Sequence, residues 1–278
     1  AKVKRTVIEI AQDTAVLNAD DERCLAMADH TPAENVCYVT MNSEHALVRE
    51  HIQAGGRGMV LENGMGGQMI TLYDNGAHIP LLWTHLIPAT LDGRAIHNVQ
   101  NAMFAAGIAF SMGVKLEEIR HGLRTFDTTF FQAPGRMNVF DEHPFKVILD
   151  YGHNPAAVEA MATLAQRLEP SGRKLVVLAA PGDRRDEDII ETAKVCAGKF
   201  DHYILKRDDH ARGRGQDEVP RMLEQSLLEC GVSPEQLEVI SSEVEAVNAG
   251  LAMAEAGDLL LIFGDEISRC WKQITGFK

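Results

Sequence analysis

The sequence has 278 residues, 45% hydrophobic and 24% charged, enough for two soluble globular domains with buried cores. Its 40 acidic and 27 basic side chains leave a formal net charge of −13, so it has no general attraction for nucleic acid or anionic membranes. Such acidity serves solubility or draws in a cationic substrate. The five cysteines (Cys24, Cys37, Cys196, Cys230 and Cys270) never fall in a CxxC or CxxH arrangement, which argues against a disulfide framework and structural zinc. No apolar run approaches the roughly 20 residues of a membrane span, and no secretory leader pattern is present, so the cytoplasm is the expected compartment.

In chain order, AKVKRTVIEIA starts in mid-pattern as a helix with Val3, Val7, Ile8 and Ile10 on one face and no capping residue before it, which suggests a piece of a longer polypeptide. TAVLN is predicted as a strand, DERCLAMADH as a helix, NVCYVTM as a strand and SEHALVREHIQAGG as a helix with its C-cap glycines. MVLENGMGGQMITLYDNGAHIPLLW predicts hairpins, because NG occurs twice between β-rich runs. IHNVQNAMFAAGIAFSMG and LEEIRHGLRTF are predicted helices. Periodicity stops around TTFFQAPGRMN, whose Pro-Gly pair places a domain boundary near residue 133.

Beyond it, FKVILDYGH, RKLVVLAAPG, HYILKR, LEVISS and DLLLIFGD are apolar strands. They alternate with NPAAVEAMATLAQRLE and with helices starting near Asp186, Asp217 and Ser242. Strands apolar on both faces and separated by helices predict a parallel sheet covered on both sides, with ligands at the strands' carboxyl ends. Three of those ends carry polar clusters: Asp150-Tyr151-Gly152-His153-Asn154-Pro155, the run from Gly182 to Asp188, and the run from Arg207 to Arg214. A turn with a helix cap explains any one of them; three together, rich in both Arg and Asp, point to a site. Arginine forks suit carboxylate or phosphate, and carboxylates suit a guanidinium or a magnesium ion. Asn98 and Asn101 stand i, i+3 on one helix face, as ligand contacts or as a polar helix start. Asn18-Ala19-Asp20-Asp21 fits a helix cap. The sequence has no GxxxxGK(S/T) loop, no GxGxxG after a strand, no GxSxG and no HExxH.

LNADD, HNVQNAMFAAGIAFSMGV, PGRMNVF and ILDYGHNPAAVEAM, in this order, resemble the Mur ligase superfamily. APGDRRDEDI followed by KRDDHARGRG resembles, within it, the cyanophycin synthetases, which build an aspartate–arginine storage polymer. The resemblance spans essentially the whole chain. It implies an α/β fold: residues 1–132 as the remainder of a central ATP-binding domain whose P-loop half is absent, and residues 133–278 as a Rossmann-like Mur ligase C-terminal domain. The implied activity is ATP-dependent amide ligation through an acyl-phosphate, adding arginine to an aspartate side-chain carboxylate of an acidic peptide polymer, with this piece inactive alone. ATP and Mg2+ are the implied cofactors, the preceding regions of the polypeptide are implied partners, and a homo-oligomer is expected. A peptidoglycan or folylpolyglutamate ligase, or a non-catalytic polymer-binding module, stays open as an alternative.

Position by position, the resemblance implies that Lys2 is a carbamylated lysine helping to hold magnesium and that Asn98 and Asn101 contact adenine and ribose. Arg136 would reach the nucleotide phosphates and Asp150 the ribose, with His153 and Asn154 beside the γ-phosphate. Asp183, Arg184, Arg185, Asp208, Asp209, Arg212 and Arg214 would face the incoming amino acid and the polymer end. If the amino acid is arginine, Asp186, Asp188, Asp208 and Asp209 would grip its guanidinium, and Arg184, Arg185, Arg212 and Arg214 would hold the polymer's carboxylates.

Overall fold

The computed structural model describes residues 2–209 and 212–278 and divides into two compact units, residues 1–127 and 128–278. Ala1, His210 and Ala211 lie outside the described residues, the latter two within the third polar cluster.

In the first unit, α1 (Lys2–Glu9) is followed by β1 (Thr14–Asn18), α2 (Glu22–Leu25), β2 (Asn35–Thr40) and α3 (Ala46–Gln53). Then come β3 (Arg57–Gly64), β4 (Gly67–Asp74), β5 (Ala77–Trp83), α4 (Ile96–Ser111) and α5 (Leu116–Thr125). The five strands lie in sequence order, β1 to β3 parallel and β3 to β5 an antiparallel meander. Period-two alternation sorts the side chains. Cys37, Val39, Met59 and Leu61 pack with Val99, Met103 and Ala106 of α4, while Leu17, Tyr38 and Val60 pack with Val48 of α3. Gly107 lets α4 sit close to the sheet, because a Cβ there would meet Met59 Cγ at 3.1 Å.

Two local expectations are corrected. The segment predicted as one helix over DERCLAMADH is a single α-turn, α2, that passes into a 3-10 turn at Ala26–His30. Only the second NG pair forms a hairpin turn: Asn75 and Gly76 have φ of +47° and +78°, as a type I′ turn requires. Asn63-Gly64 stays inside β3, and Met65-Gly66 makes the turn. The register that sets Leu61 opposite Ile70 and Met59 opposite Leu72 keeps the apolar face intact and overrides the local turn signal.

The second unit runs β6 (Asn138–Phe140), β7 (Lys146–Asp150), α6 (Pro155–Leu168), β8 (Lys174–Leu178), α7 (Asp186–Cys196) and β9 (His202–Leu205). It continues with α8 (Glu218–Glu229), β10 (Leu237–Val239), α9 (Glu243–Met253), β11 (Leu259–Phe263) and α10 (Ile267–Gly276). The sheet order is β10-β9-β8-β11-β7-β6, parallel except for β6, a three-residue antiparallel edge strand too short to show periodicity. Val147, Leu149, Val177, Leu260 and Ile262 pack with Val247 and Leu251 of α9 and Ile274 of α10. The alternate residues Ile148, Val176, Tyr203 and Leu261 are equally buried, on the face that α6, α7 and α8 cover. Burial on both faces leaves the strand ends as the place for polar side chains, and β7, β8, β9 and β11 all end on one edge.

Leu261→Ala in the central strand is expected to cost about 2–5 kcal/mol, the cavity range for a buried leucine. Chemical denaturation measures it; a loss below about 1 kcal/mol would show that the sheet is not packed as described.

Candidate functional site

The PGRMN turn is built around Asn138, which is fully buried. Its amide oxygen accepts from Gly135 N at 2.7 Å, and its amide nitrogen donates to Thr128 O and Ala133 O at 2.8 Å each. Gly135 has φ +72° and abuts Ile267, so no side chain fits there. The turn delivers Met137 N to Asp150 Oδ2 at 2.9 Å, while Gly264 N donates to the Asp150 carbonyl at 2.9 Å. Burial pushes the Asp150 carboxyl up; the Met137 and Gly152 N–H groups and the charges of Arg136 and His153 oppose it, and burial prevails. Arg136 itself is exposed. Sequence reasoning named Arg136 and Asp150 but missed Asn138, whose signal is an Asn just after a Pro-Gly turn.

After β7, His153 Nδ1 lies 3.1 Å from Tyr151 O. A carbonyl only accepts, so Nδ1 carries the proton. Asn154 is the N-cap of α6, its side-chain oxygen accepting from Ala157 N at 3.0 Å. Gly152 is confined: a Cβ there would meet Phe263 Cε1 at 2.8 Å and Asp150 Oδ1 at 3.2 Å.

Tyr151, Gly152 and His153 line a shallow crevice with Ala179, Pro181, Asp208, Phe263, Gly264 and Asp265. All four lining segments follow the carboxyl ends of β7, β8, β9 and β11. The fourth, Gly264-Asp265 after β11, escaped sequence reasoning.

Most charges of the two Arg- and Asp-rich loops pair within the chain. Arg214 lies between them, donating to Gly182 O and Arg184 O at 2.8 Å, to Asp186 at 2.6 Å and to Glu218 at 2.7 Å. Arg185 grips Asp188 at 2.8 Å within α7, and Arg212 approaches Asp183 at 3.3 Å. Asp209 is held by Arg269 at 2.6 Å. Arg184 is exposed and contributes its carbonyl to Arg214. Asp208 differs. It is 8% exposed, faces the crevice, and among the described residues its carboxylate has one ion-pair contact, Lys206 Nζ at 3.9 Å.

Behind Asp208 stands a buried network that sequence reasoning missed. Glu243, in the first turn of α9 and 1% exposed, accepts Asp265 N at 2.7 Å, Glu266 N at 3.1 Å and Arg269 Nη2 at 2.7 Å. Lys206 Nζ, fully buried, lies 2.8 Å from Oε2, the oxygen that also accepts Asp265 N. Burial alone would raise the Glu243 carboxyl, but Lys206, the Asp265 N–H and Arg269 bring it down to about 2. Burial raises the Asp208 carboxyl, with Asp265 and Glu243 adding to the rise and Lys206 and Arg212 opposing it.

In the first unit, Asn98 Nδ2 donates to Ala89 O at 2.7 Å and Asn101 Nδ2 to Asn98 Oδ1 at 3.2 Å. The two therefore share one face, as their spacing predicts, while the N-cap of α4 is Ala95. Asp21 caps α2 through Cys24 N at 2.8 Å, and Asp20 ties β1 to the end of β2 through Thr40 Oγ1 at 2.5 Å and Met41 N at 2.7 Å. Lys2 is exposed in the first turn of α1. No helix among the described residues is long and apolar enough to cross a membrane.

Residues 135–265 match the family profile described as Mur ligase, glutamate ligase domain. That match covers most of the second unit. The chain is 41% identical over 267 residues to a cyanophycin synthetase of Nostoc sp., covering 94% of this chain and 28% of that protein. It is 35% identical over 280 residues to the cyanophycin synthetase of Synechocystis sp., covering 100% and 31%. The chain thus spans under a third of these relatives' length. Among solved structures it resembles E. coli FolC in complex with DHPP and ADP, with a TM-score of 0.66, 18% identity, and coverage of 99% of this chain and 56% of that one. That likeness supports the α/β Mur ligase fold expected from the motifs. The Mur ligase domain accounts for PGR, DYGHNP and the Arg- and Asp-rich loops in one piece of sheet.

Glu243 carries a pH dependence. Its folded-state carboxyl lies below the ordinary 4.5, so its contribution is fully present above 4.5 and is lost as pH falls towards about 2. That contribution is of the order of 3 kcal/mol. Urea denaturation between pH 6 and pH 3 is expected to show a smaller loss of stability in Glu243→Gln than in the unsubstituted protein. Equal losses would remove the ionised buried carboxylate.

Proposed function

We propose that this chain is the nucleotide- and amino-acid-facing part of a cyanophycin synthetase-type amide ligase, acting within a longer polypeptide. The similarity to two cyanophycin synthetases over 94–100% of the chain carries this reading, and the crevice that gathers Tyr151, Gly152, His153, Asp208 and Asp265 at one sheet edge supports it.

In the proposed reaction an aspartate side-chain carboxylate of the polymer attacks the γ-phosphorus of ATP, releasing ADP and leaving an acyl-phosphate. The deprotonated α-amine of arginine then attacks the acyl carbon, and phosphate departs as the amide forms. Positioning and charge stabilisation do the catalytic work, so no covalent enzyme nucleophile is needed. Arg136, exposed beside Asp150, would offset phosphate charge, and Asp150 would accept from the ribose hydroxyls. His153, with Nδ1 protonated, presents Nε2 as an acceptor in the neutral ring. Asn154 would stand beside the γ-phosphate through the helix start it caps. Asn98 and Asn101, joined side chain to side chain, would contact adenosine, and Lys2 would act as a carbamylated metal ligand. Among the described residues no three His, Cys, Asp or Glu side chains converge on a metal-sized space. Magnesium would be held by the nucleotide's phosphates, with Lys2 as its ligand from this chain.

Asp208 is the favoured partner for a guanidinium, being buried, crevice-facing and, among the described residues, ion-paired only with Lys206 at 3.9 Å. Asp183, Arg184, Arg185, Arg212 and Arg214 would meet the polymer end, with Arg214 fixing the two loops to each other. Asp186, Asp188 and Asp209 have intramolecular arginine partners and are assigned to shaping the loops.

The 278-residue chain alone is expected to hydrolyse no ATP, since it contains no phosphate-binding loop. Turnover above a blank lacking protein contradicts this. In the full-length ligase, Arg136→Ala and Asp150→Ala are each expected to lower kcat about 10²–10³-fold in arginine-dependent ATP hydrolysis. Near-normal turnover in both variants removes the nucleotide site from this edge, and turnover with another amino acid in place of arginine redirects the substrate assignment.

A further inference from the structure

The proposed reaction leaves an electrostatic problem at the crevice. A carboxylate meant for an incoming cation sits close to a buried lysine of its own chain, and a buried ammonium needs a carboxylate. Lys206 is fully buried, and its two acidic neighbours compete unequally: Glu243 at 2.8 Å and Asp208 at 3.9 Å. Glu243 is oriented by donors on its other positions. The Asp265 N–H shares Oε2 with Lys206, while Glu266 N and Arg269 Nη2 occupy Oε1. Arg269 in turn holds Asp209 at 2.6 Å, and Asp209 N donates to Asp265 Oδ2 at 3.1 Å. The network thus ties together the segment after β9, the start of α9 and the start of α10. Asp208 lies at the crevice end of that network.

We propose that Glu243 is a positioning residue that holds the Lys206 ammonium off Asp208, leaving the Asp208 carboxylate available to an incoming guanidinium. Without the Glu243 charge, the nearest anion to Lys206 is Asp208, and an internal ion pair would occupy the position the ligand needs. The charged groups acting on Asp208 are Lys206 and Arg212 on the positive side and Asp265 and Glu243 on the negative side, with Tyr151 and His153 lining the same crevice. The ligand class deepens the reading of the crevice as an amino-acid site and rests on it; the sequestration of Lys206 does not.

Two readouts separate these layers. The titration of the Asp208 carboxyl is followed by carbon NMR, and L-arginine binding by calorimetry with citrulline as the uncharged isostere. Glu243→Gln is expected to lower the Asp208 midpoint by about one pH unit or more, as an opposite charge within roughly 4 Å does, and to weaken arginine about tenfold. Citrulline binding should be unmoved. The Lys206→Met, Glu243→Gln pair is expected to restore both readouts, which a merely structural role for Glu243 would not do. Should Glu243→Gln fail to fold, Lys206→Met alone decides, because it is expected to raise the Asp208 midpoint. An unshifted midpoint in the informative variant, or no restoration in the pair, overturns the proposal. If the midpoints move as expected while arginine and citrulline bind equally weakly throughout, the sequestration stands and the guanidinium assignment falls.

Discussion

Three hydrogen-bond donors and a buried ammonium converge on the carboxylate of Glu243, which lies at the point where three strand-end segments meet. Its oxygens take two backbone N–H groups from the start of α10, the guanidinium of Arg269 and the buried ammonium of Lys206. A buried charge with fewer partners would be too costly to retain, since removing one member of such a set leaves the others uncompensated. The arginine that pins Asp209 and the path of the chain from β11 into α10 both meet at this one group. The parallel sheet supplies the setting, because strands covered on both faces leave only their ends for polar chemistry.

The Arg- and Asp-rich loops read differently in space than in sequence. In sequence, the runs Gly182–Asp188 and Arg207–Arg214 look like matched receptors for a zwitterionic polymer. In the fold, Arg214 joins the loops through three acceptors, Arg185 and Asp188 pair along one helix turn, and Arg269 takes Asp209. Exposed pairs of this kind contribute little to stability. Their effect is geometric: they hold two loops in one arrangement beside the crevice. An arginine bound by a chain carboxylate is also a local template for how a substrate guanidinium is held, which directs attention to the buried, crevice-facing carboxylate of Asp208.

The nucleotide-side residues show a similar economy of means. Asn138 organises the PGRMN turn with three hydrogen bonds, and the turn places Met137 N on Asp150. Arg136 stays in solvent while Gly135 and Met137 are buried, so its side chain is the group the turn presents to solvent. Gly135 and Gly152 are confined by Ile267 and Phe263, which explains the glycines by packing. Asn154 has a clear structural duty as the cap of α6, and any ligand contact it makes uses a side chain already oriented by that duty.

Much of this was determined by the sequence alone: the alternation of apolar strands and helices after residue 133, the helix starts at Asp186, Asp217 and Ser242, the DYGH cluster, and the motifs shared with Mur ligases. These signals are local, since periodicity, capping and turn chemistry act over a few residues. What only the tertiary structure decided involves residues far apart in the chain. The antiparallel edge strand β6 needs β7 beside it, and the Met65-Gly66 turn needed the cross-strand register to override an NG signal. The partnership of Lys206, Glu243 and Arg269 joins positions separated by tens of residues, and in sequence each is an ordinary lysine, glutamate or arginine near an element end. Burial is what makes them a unit: at the surface they would be solvated independently, whereas inside the fold each charge must find its partner.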